Sequence, residues 1–190
     1  MLACSDTDHM QSGTILPDDV QLKVGDVVFR RGSGFTSQAV LLAECGGSYS
    51  HGGIVADSAG ELMVIHAVPG EPDYKGDEDR VKMERPEVFF GKMRAHEGAV
   101  YRHVDSVAAR KAAAHAMVTY RRGTLFDHNY DDADTSKLYC TELVTHVFRQ
   151  SSRPLRGVQH QRLRLIGFEA DCILPSDLQQ CSELKEITKF

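Results

Sequence analysis

The chain is poor in cysteine: it has five in 190 residues, and no two of them form a C-x-x-C pair. An odd number without regular spacing argues against a framework of disulfide bonds, and the lack of C-x-x-C pairs argues against a zinc site made of cysteines. No apolar run approaches the roughly 18 residues that a membrane-spanning helix needs. The sequence therefore shows no sign of a disulfide-rich domain, a cysteine zinc finger or a transmembrane segment.

A large excess of charge is also lacking. The formal net charge is −5, which gives no global attraction to nucleic acid or to an anionic membrane surface, so we expect no nucleic-acid partner. The hydrophobic fraction of 42% and charged fraction of 26% are ordinary for a soluble globular protein. The length suits one compact domain. We predict a flexible N-terminal tail over residues 1–18 and a single domain over residues 19–190.

The first four residues, Met-Leu-Ala-Cys, resemble the end of a bacterial lipobox, in which a small residue precedes a cysteine that becomes lipidated. The charged and apolar parts of a signal peptide are missing, so a trimmed lipoprotein start and a chance match are both open. In the first case, a lipidated Cys4 would attach the protein to a membrane in the bacterial cell envelope or periplasm. In the second case, the cytoplasm is the alternative location.

Hydrophobic periodicity and turn residues predict helices together with mainly antiparallel strands, and hence an α+β fold. Asp105 is a predicted helix cap. The predicted elements are strands at Val27–Phe29, 88–90, 99–104 and 163–166, a hairpin over 51–68, a loop over 69–82, and helices over 36–46, 105–120 and 140–150.

The hairpin brings two histidines together. If Asp57 and Gly60 flank a two-residue turn, His51 lies opposite His66 on the same face of the sheet. A slip of one residue would place the two side chains on opposite faces. Gly52, next to His51, leaves room for a substrate or another backbone segment.

Cys140 follows a polar loop and begins an amphipathic helix. A helix N-terminus favours negative charge, so it is expected to lower the pKa of the thiol, and its N–H groups can hold an oxyanion during acyl transfer. A nucleophile at a helix start and a base on a strand is the usual arrangement in a Cys–His hydrolase.

Each of these residues also has a structural explanation. A lone cysteine is more often a small buried hydrophobe than a nucleophile, and a lone histidine is more often a hydrogen-bonded core residue than a base. The other cysteines, Cys45, Cys172 and Cys181, are interpreted as structural. The aspartates between Asp127 and Asp134 suggest a calcium site, but the spacing lacks the glycine and terminal glutamate of an EF-hand, so we interpret this segment as a loop.

Taken together, several segments resemble the circularly permuted papain-like hydrolases of the YiiX and YaeF type, relatives of the NlpC cell-wall peptidases. The resemblance covers roughly residues 22–180. The matching segments are VGDVVF at 24–29, SHGGIV at 50–55, GTLFD at 123–127, LYCTELV at 138–144 and ILPSDL at 173–178. It implies a permuted papain-like fold in which an antiparallel sheet or barrel packs against helices. It also implies that Cys140 is the nucleophile and that His51 is the general base.

The sequence departs from the resembling family at the third catalytic position. On the strand after the histidine, YiiX-like members commonly carry a glutamate followed by alanine, whereas this chain has His66-Ala67. The result is a Cys–His–His set, similar to that of some NlpC-type and lecithin-retinol-acyltransferase-like relatives. A neutral His66 can fix the tautomer of His51, but it does not stabilise an imidazolium as a carboxylate does.

The sequence thus predicts a cysteine hydrolase, an amidase or peptidase that needs no metal or organic cofactor. Tyr139 and Gly52 are candidate substrate-binding residues. The resemblance implies a small peptide, amino-acid or acyl-amide substrate, either a cell-wall peptide or an N-acyl amino acid.

Three other functions stay open at this stage. The first is a lipid acyltransferase or thioesterase that uses the same triad, and the second is a binding module with an inactive site. The third is a zinc protein that uses His51, His66 and Cys140 as ligands.

Overall fold

A computed structural model describes residues 13–32, 40–41, 47–165 and 168–190. The predicted helix over 36–46, which contains Cys45, lies mostly outside the described residues, as does Cys4. The strands are β1 (Val27–Arg31), β2 (His51–Ser58), β3 (Glu61–Val68), β4 (Arg80–Glu84), β5 (Glu97–His103), β6 (Gln161–Leu165), β7 (Phe168–Cys172) and β8 (Leu184–Lys189). The helices are α1 (Pro86–Phe89), α2 (Ser106–Arg121), α3 (Cys140–Arg149) and α4 (Pro175–Gln179).

Six strands form one antiparallel sheet in the order β4-β3-β2-β1-β5-β8, and β6 pairs with β7 in a separate hairpin. The central strands are buried on both faces. Alternate side chains point to opposite sides of the sheet, and each side packs into a hydrophobic core of its own. On β1, Val27 and Phe29 belong to the main core with α2 and α3, whereas Val28 belongs to a smaller core that includes Phe89 and Phe90 of the α1 segment. The predicted α+β class is confirmed.

The hairpin register differs by two residues from the prediction. Val55 pairs with Val64 and Ser58 pairs with Glu61, so the two-residue turn is Ala59-Gly60. Both turn residues have positive φ, 57° and 89°, which is the conformation of a type I′ turn and places the glycine inside the turn, not after it. His51 is therefore not directly opposite His66. Because the shift is by two residues, both side chains stay on one face of the sheet.

Other predicted elements were wrong or missing. Residues 88–90 were expected to be a strand, but Pro86 starts the short helix α1, with Arg85 extended before it, as suits a proline at the first helical position. Strand β4 lies partly inside the predicted loop over 69–82, and β7 and β8 were not predicted. These short strands exist through pairing with their neighbours, which their own periodicity does not reveal.

The two main helices begin where the sequence indicates. Asp105 caps α2 by accepting hydrogen bonds from the N–H groups of Val107 and Ala108.

Residues 13–18, part of the predicted tail, include contacts with the domain: Thr14 pairs with Gly91, and Ile15 N–H donates to Phe90 O at 2.9 Å. Within the described ranges, no helix is both long and apolar enough to cross a membrane.

Candidate active site

Cys140 is the first residue of α3, and both of its neighbours are anchored to one backbone segment. Thr141 Oγ1 donates to Ile173 O at 2.6 Å, and Ile173 N–H donates to the Tyr139 hydroxyl at 3.0 Å. Glu142 Oε2 accepts from Tyr139 N–H at 3.2 Å, which supplies the glutamate half of a capping box. The position of Cys140 is thus fixed from both sides.

The thiol of Cys140 is less acidic than the sequence predicts. Burial raises the pKa of Cys140 above its ordinary value, although the N–H groups of Gly52 and Thr141 act against that rise by donating to the sulfur. The N–H groups at the helix start do act to lower this pKa, as expected, but desolvation of the thiolate outweighs them and the net shift is upward. The resting group is a neutral thiol, and it keeps part of its surface accessible.

His51 and His66 form a buried hydrogen-bonded pair. His51 Nε2 lies 2.8 Å from His66 Nδ1, and the two residues have exposed fractions of 6% and 0%. The ring of Phe89 packs against both imidazoles, with centroid distances of 5.7 Å and 5.2 Å. The predicted pairing of these two side chains is therefore present despite the shifted register.

Both histidines are neutral near neutral pH. Burial, with the positive charge of Arg30 and the neighbouring His66, holds the pKa of His51 well below 6.5. Burial also lowers the pKa of His66, although the carboxylate of Glu84 opposes this. A neutral imidazole is the form that can accept a proton from a thiol.

Glu84, on β4, contacts the far side of His66. Its Oε2 lies 3.3 Å from His66 Nε2, and its Oε1 accepts from Arg94 Nη1 at 2.7 Å. Burial alone would raise the pKa of Glu84, but His66 and Arg94 lower it to about 2. The sequence did not indicate Glu84, because the strand that carries it was not predicted.

The sulfur of Cys140 and the ring of His51 approach the start of β2 from different sides. Helix α3 packs on the main core, whereas His51 faces Phe89 in the smaller one. The sulfur meets the N–H of Gly52, the residue after His51. In the part of the chain that is described, the sulfur is not hydrogen-bonded to the His51 ring. Catalytic contacts of this kind are often long before substrate binds.

A small apolar pocket lies beside Cys140, with a volume of about 20 Å³. Tyr139 forms part of its wall, but this side chain is only 1% exposed and its hydroxyl already binds Ile173 N–H. Cys172 lines the same pocket, and burial raises its pKa to about 12.

Metal ligands do not cluster in the described residues: no three His, Cys, Asp or Glu side chains there are placed to hold an ion. In the aspartate-rich loop, Asp127 accepts backbone N–H bonds from Asn129 and Asp131 at 2.9 Å and 2.6 Å. These carboxylate oxygens are occupied by the turns of the loop itself.

Comparison with known proteins agrees with this architecture. A model of the permuted papain-like amidase enzymes, the YaeF/YiiX or C92 family, matches residues 21–187. The chain belongs to this family. The crystal structure of metalloprotein YiiX from Escherichia coli O157:H7 has a TM-score of 0.70 and 19% identity, and the match covers 90% of this chain and 99% of that one. No protein of curated function is detectably similar in sequence. The predicted family and permuted papain-like fold are confirmed.

Substitution of Gly53 tests how closely β2 and β3 approach each other at the histidine pair. A Cβ on Gly53 would lie 2.8 Å from Val64 Cγ1, 2.9 Å from Ile65 O and 3.1 Å from His66 Cβ. We expect Gly53→Ala to push β3 away from β2 and to lower the free energy of unfolding by about 1–3 kcal/mol, as overpacking usually does. Denaturant unfolding measures this change.

The control is Gly13→Ala, whose Cβ would meet only the flexible end of Lys92 at 3.4 Å. This exposed change should alter stability by no more than about 0.5 kcal/mol. Equal stability of the two variants would contradict the close β2–β3 approach at the histidine pair.

Proposed function

We propose that this protein is a cysteine amidase in which Cys140 is the nucleophile, His51 is the general base and His66 orients His51. One observation carries the proposal: the His51–His66 hydrogen bond of 2.8 Å lies at the start of β2, where the next residue, Gly52, donates its N–H to the Cys140 sulfur. The membership in an amidase family supports the reaction type.

The reaction begins from a neutral thiol and a neutral imidazole. His66 occupies Nε2 of His51, which leaves Nδ1 to take the proton from Cys140 as the sulfur attacks the amide carbonyl. The proposal requires the sulfur and Nδ1, which approach the start of β2 from different sides, to close to hydrogen-bond distance beside the backbone of Gly52. Proton transfer then accompanies attack, unlike the preformed thiolate–imidazolium pair of enzymes with an acidic thiol.

The later steps reuse the same groups. The N–H of Cys140, at the start of α3, stabilises the oxyanion of the tetrahedral intermediate. The imidazolium of His51 gives its proton to the leaving amine, and the C–N bond breaks to leave a thioester on Cys140. Water, activated by His51, then hydrolyses the thioester and releases the acid. Gly52 is proposed to contact substrate beside the sulfur.

The substrate proposed is a small peptide, amino-acid or acyl amide, either in a cell-wall peptide or in an N-acyl amino acid. The apolar wall beside Cys140, which includes Ile173, Leu174 and Pro175, favours an uncharged acyl side of the scissile bond. A mass-spectrometric screen of amides against the protein, with hydrolysis products as the readout, tests the proposed substrate class. We also propose that a lipidated Cys4 attaches the protein to a membrane of the bacterial envelope.

Thiol labelling tests the nucleophile without a known substrate. We expect iodoacetamide to modify Cys140 faster than Cys172 or Cys181, because Cys140 keeps part of its surface accessible whereas the other two thiols are buried. Peptide mapping by mass spectrometry follows each site over time. Cys181, which lies away from the pocket wall, is the matched control. Equal rates at the three sites would count against Cys140.

A further inference from the structure

We infer that Glu84 is a positioning residue that sets the tautomers of both histidines and thereby leaves Nδ1 of His51 as the basic nitrogen. This inference rests on the proposed function for its catalytic meaning. The tautomers themselves are a property of the protein that is measurable without any substrate.

The first step concerns the contact between His66 and Glu84. His66 Nε2 and Glu84 Oε2 lie 3.3 Å apart, and both atoms are buried without another hydrogen-bond partner among the described residues, so each is the nearest available partner of the other. An ionised carboxylate only accepts hydrogen bonds. If Nε2 had no proton, two lone pairs would face each other away from water, which is costly. The proton of neutral His66 therefore lies on Nε2.

The second step follows from the chemistry of a neutral imidazole, which has one donor nitrogen and one acceptor nitrogen. With its proton on Nε2, His66 accepts at Nδ1. That atom is 2.8 Å from His51 Nε2, so His51 is the donor in this hydrogen bond and its own proton lies on Nε2. Nδ1 of His51 is then unprotonated and ready to accept a proton from Cys140.

Glu84 can do this because it stays ionised. Arg94 Nη1 lies 2.7 Å from Glu84 Oε1 and 3.0 Å from Glu71 Oε2, and Arg30 pairs with Glu71 in turn. Two guanidinium groups and two carboxylates thus balance each other behind the histidine pair. Glu84 thus places a carboxylate behind His66, whereas the YiiX-like pattern places one directly beside the catalytic histidine.

Replacing Glu84 with glutamine should invert the chain of tautomers. Arg94 has no acceptor atom, so the glutamine oxygen will face Arg94 and the amide NH₂ will face His66 Nε2. His66 must then accept at Nε2 and carry its proton on Nδ1, which forces His51 Nε2 to accept and places the His51 proton on Nδ1. The base is then blocked although every side chain keeps its place.

The experiment measures the ¹⁵N chemical shifts of the histidine rings in labelled protein above pH 7. In the parent protein, we expect His66 and His51 both to carry their proton on Nε2, and in Glu84→Gln both to carry it on Nδ1. The control is Glu61→Gln, an exposed glutamate on the same sheet, which should leave the tautomers unchanged. A parent His66 with its proton on Nδ1 overturns the inference, and this reading needs no variant to fold.

Kinetics give the second readout on an amide that the protein hydrolyses. Glu84→Gln should lower kcat by about 10²-fold or more with little change in KM, because a wrong histidine tautomer costs up to about 10⁴-fold in a comparable triad. In the His66→Glu variant, the new carboxylate accepts from His51 directly, and the neighbouring Glu84 only repels that carboxylate. Adding Glu84→Gln to this variant should therefore raise kcat. A loss of kcat of the same size in both backgrounds overturns the inference that Glu84 acts through His66. Inverted tautomers without a change in kcat would support the inference about Glu84 and refute the proposed role of His51 as the base.

Discussion

Replacing Cys140 with alanine is expected to lower kcat by at least about 10⁴-fold on any amide that the protein hydrolyses, because loss of a nucleophile that acts together with its base removes nearly all covalent catalysis. The fold should be retained, since the side chains that anchor this end of α3 belong to Thr141 and Tyr139 and not to Cys140. Substrate should still bind. The measurement is steady-state kinetics, together with mass spectrometry of the acylated parent protein.

Cys172→Ala is the matched control, because Cys172 is a second free thiol that lines the same pocket. It should keep activity within a few fold. An acyl adduct on the Cys140 peptide of the parent, absent from Cys140→Ala, would identify the thioester directly. If Cys140→Ala retained a substantial fraction of the parent rate, the thiol mechanism would be wrong, whatever the state of the histidines.

The sequence predicts much of this site because the key residues lie in strongly patterned segments. Cys140 follows a polar loop and starts a helix whose apolar residues recur at helical spacing, and the observed start agrees. The two histidines lie on a hairpin with a clear turn. The register was wrong by two residues because the positive φ of Ala59 was not foreseen, yet an even shift preserves the face, so the histidine pair was still predicted.

The parts that sequence reasoning missed depend on contacts distant in the chain. Glu84 reaches His66 through the pairing of β4 with β3, and β4 follows a segment rich in glycine, proline and charge that predicts only a loop. The raised pKa of Cys140 arises because its surroundings desolvate the thiolate, and a pattern of residues along one helix does not report that burial. Local sequence shows the chemical groups here, whereas their ionisation depends on the packed structure.

Replacing His51 with glutamine is expected to lower kcat/KM by about 10⁴-fold or more, because in a comparable triad loss of the base costs about as much as loss of the nucleophile. The parent should also show a distinctive pH dependence. Since burial, Arg30 and His66 hold the pKa of His51 well below 6.5, the base stays neutral, and kcat/KM constant, down to a pH well below 6.5. Activity should fall only as pH decreases further and the histidine pair takes up a proton. Rates measured from acid to alkaline pH test this.

The alkaline side of the profile separates two mechanisms. Burial keeps the pKa of Cys140 above its ordinary value of 9.0, so a neutral thiol persists through neutral pH and the general-base route predicts a plateau there. A preformed ion pair would instead give a bell whose two limbs report an acidic thiol and a raised histidine pKa. His96→Gln, which alters an exposed histidine before β5, is the control and should leave the profile unchanged. A bell-shaped profile centred near pH 6, or a His51→Gln variant with near-parental kcat/KM, would contradict His51 as a neutral general base.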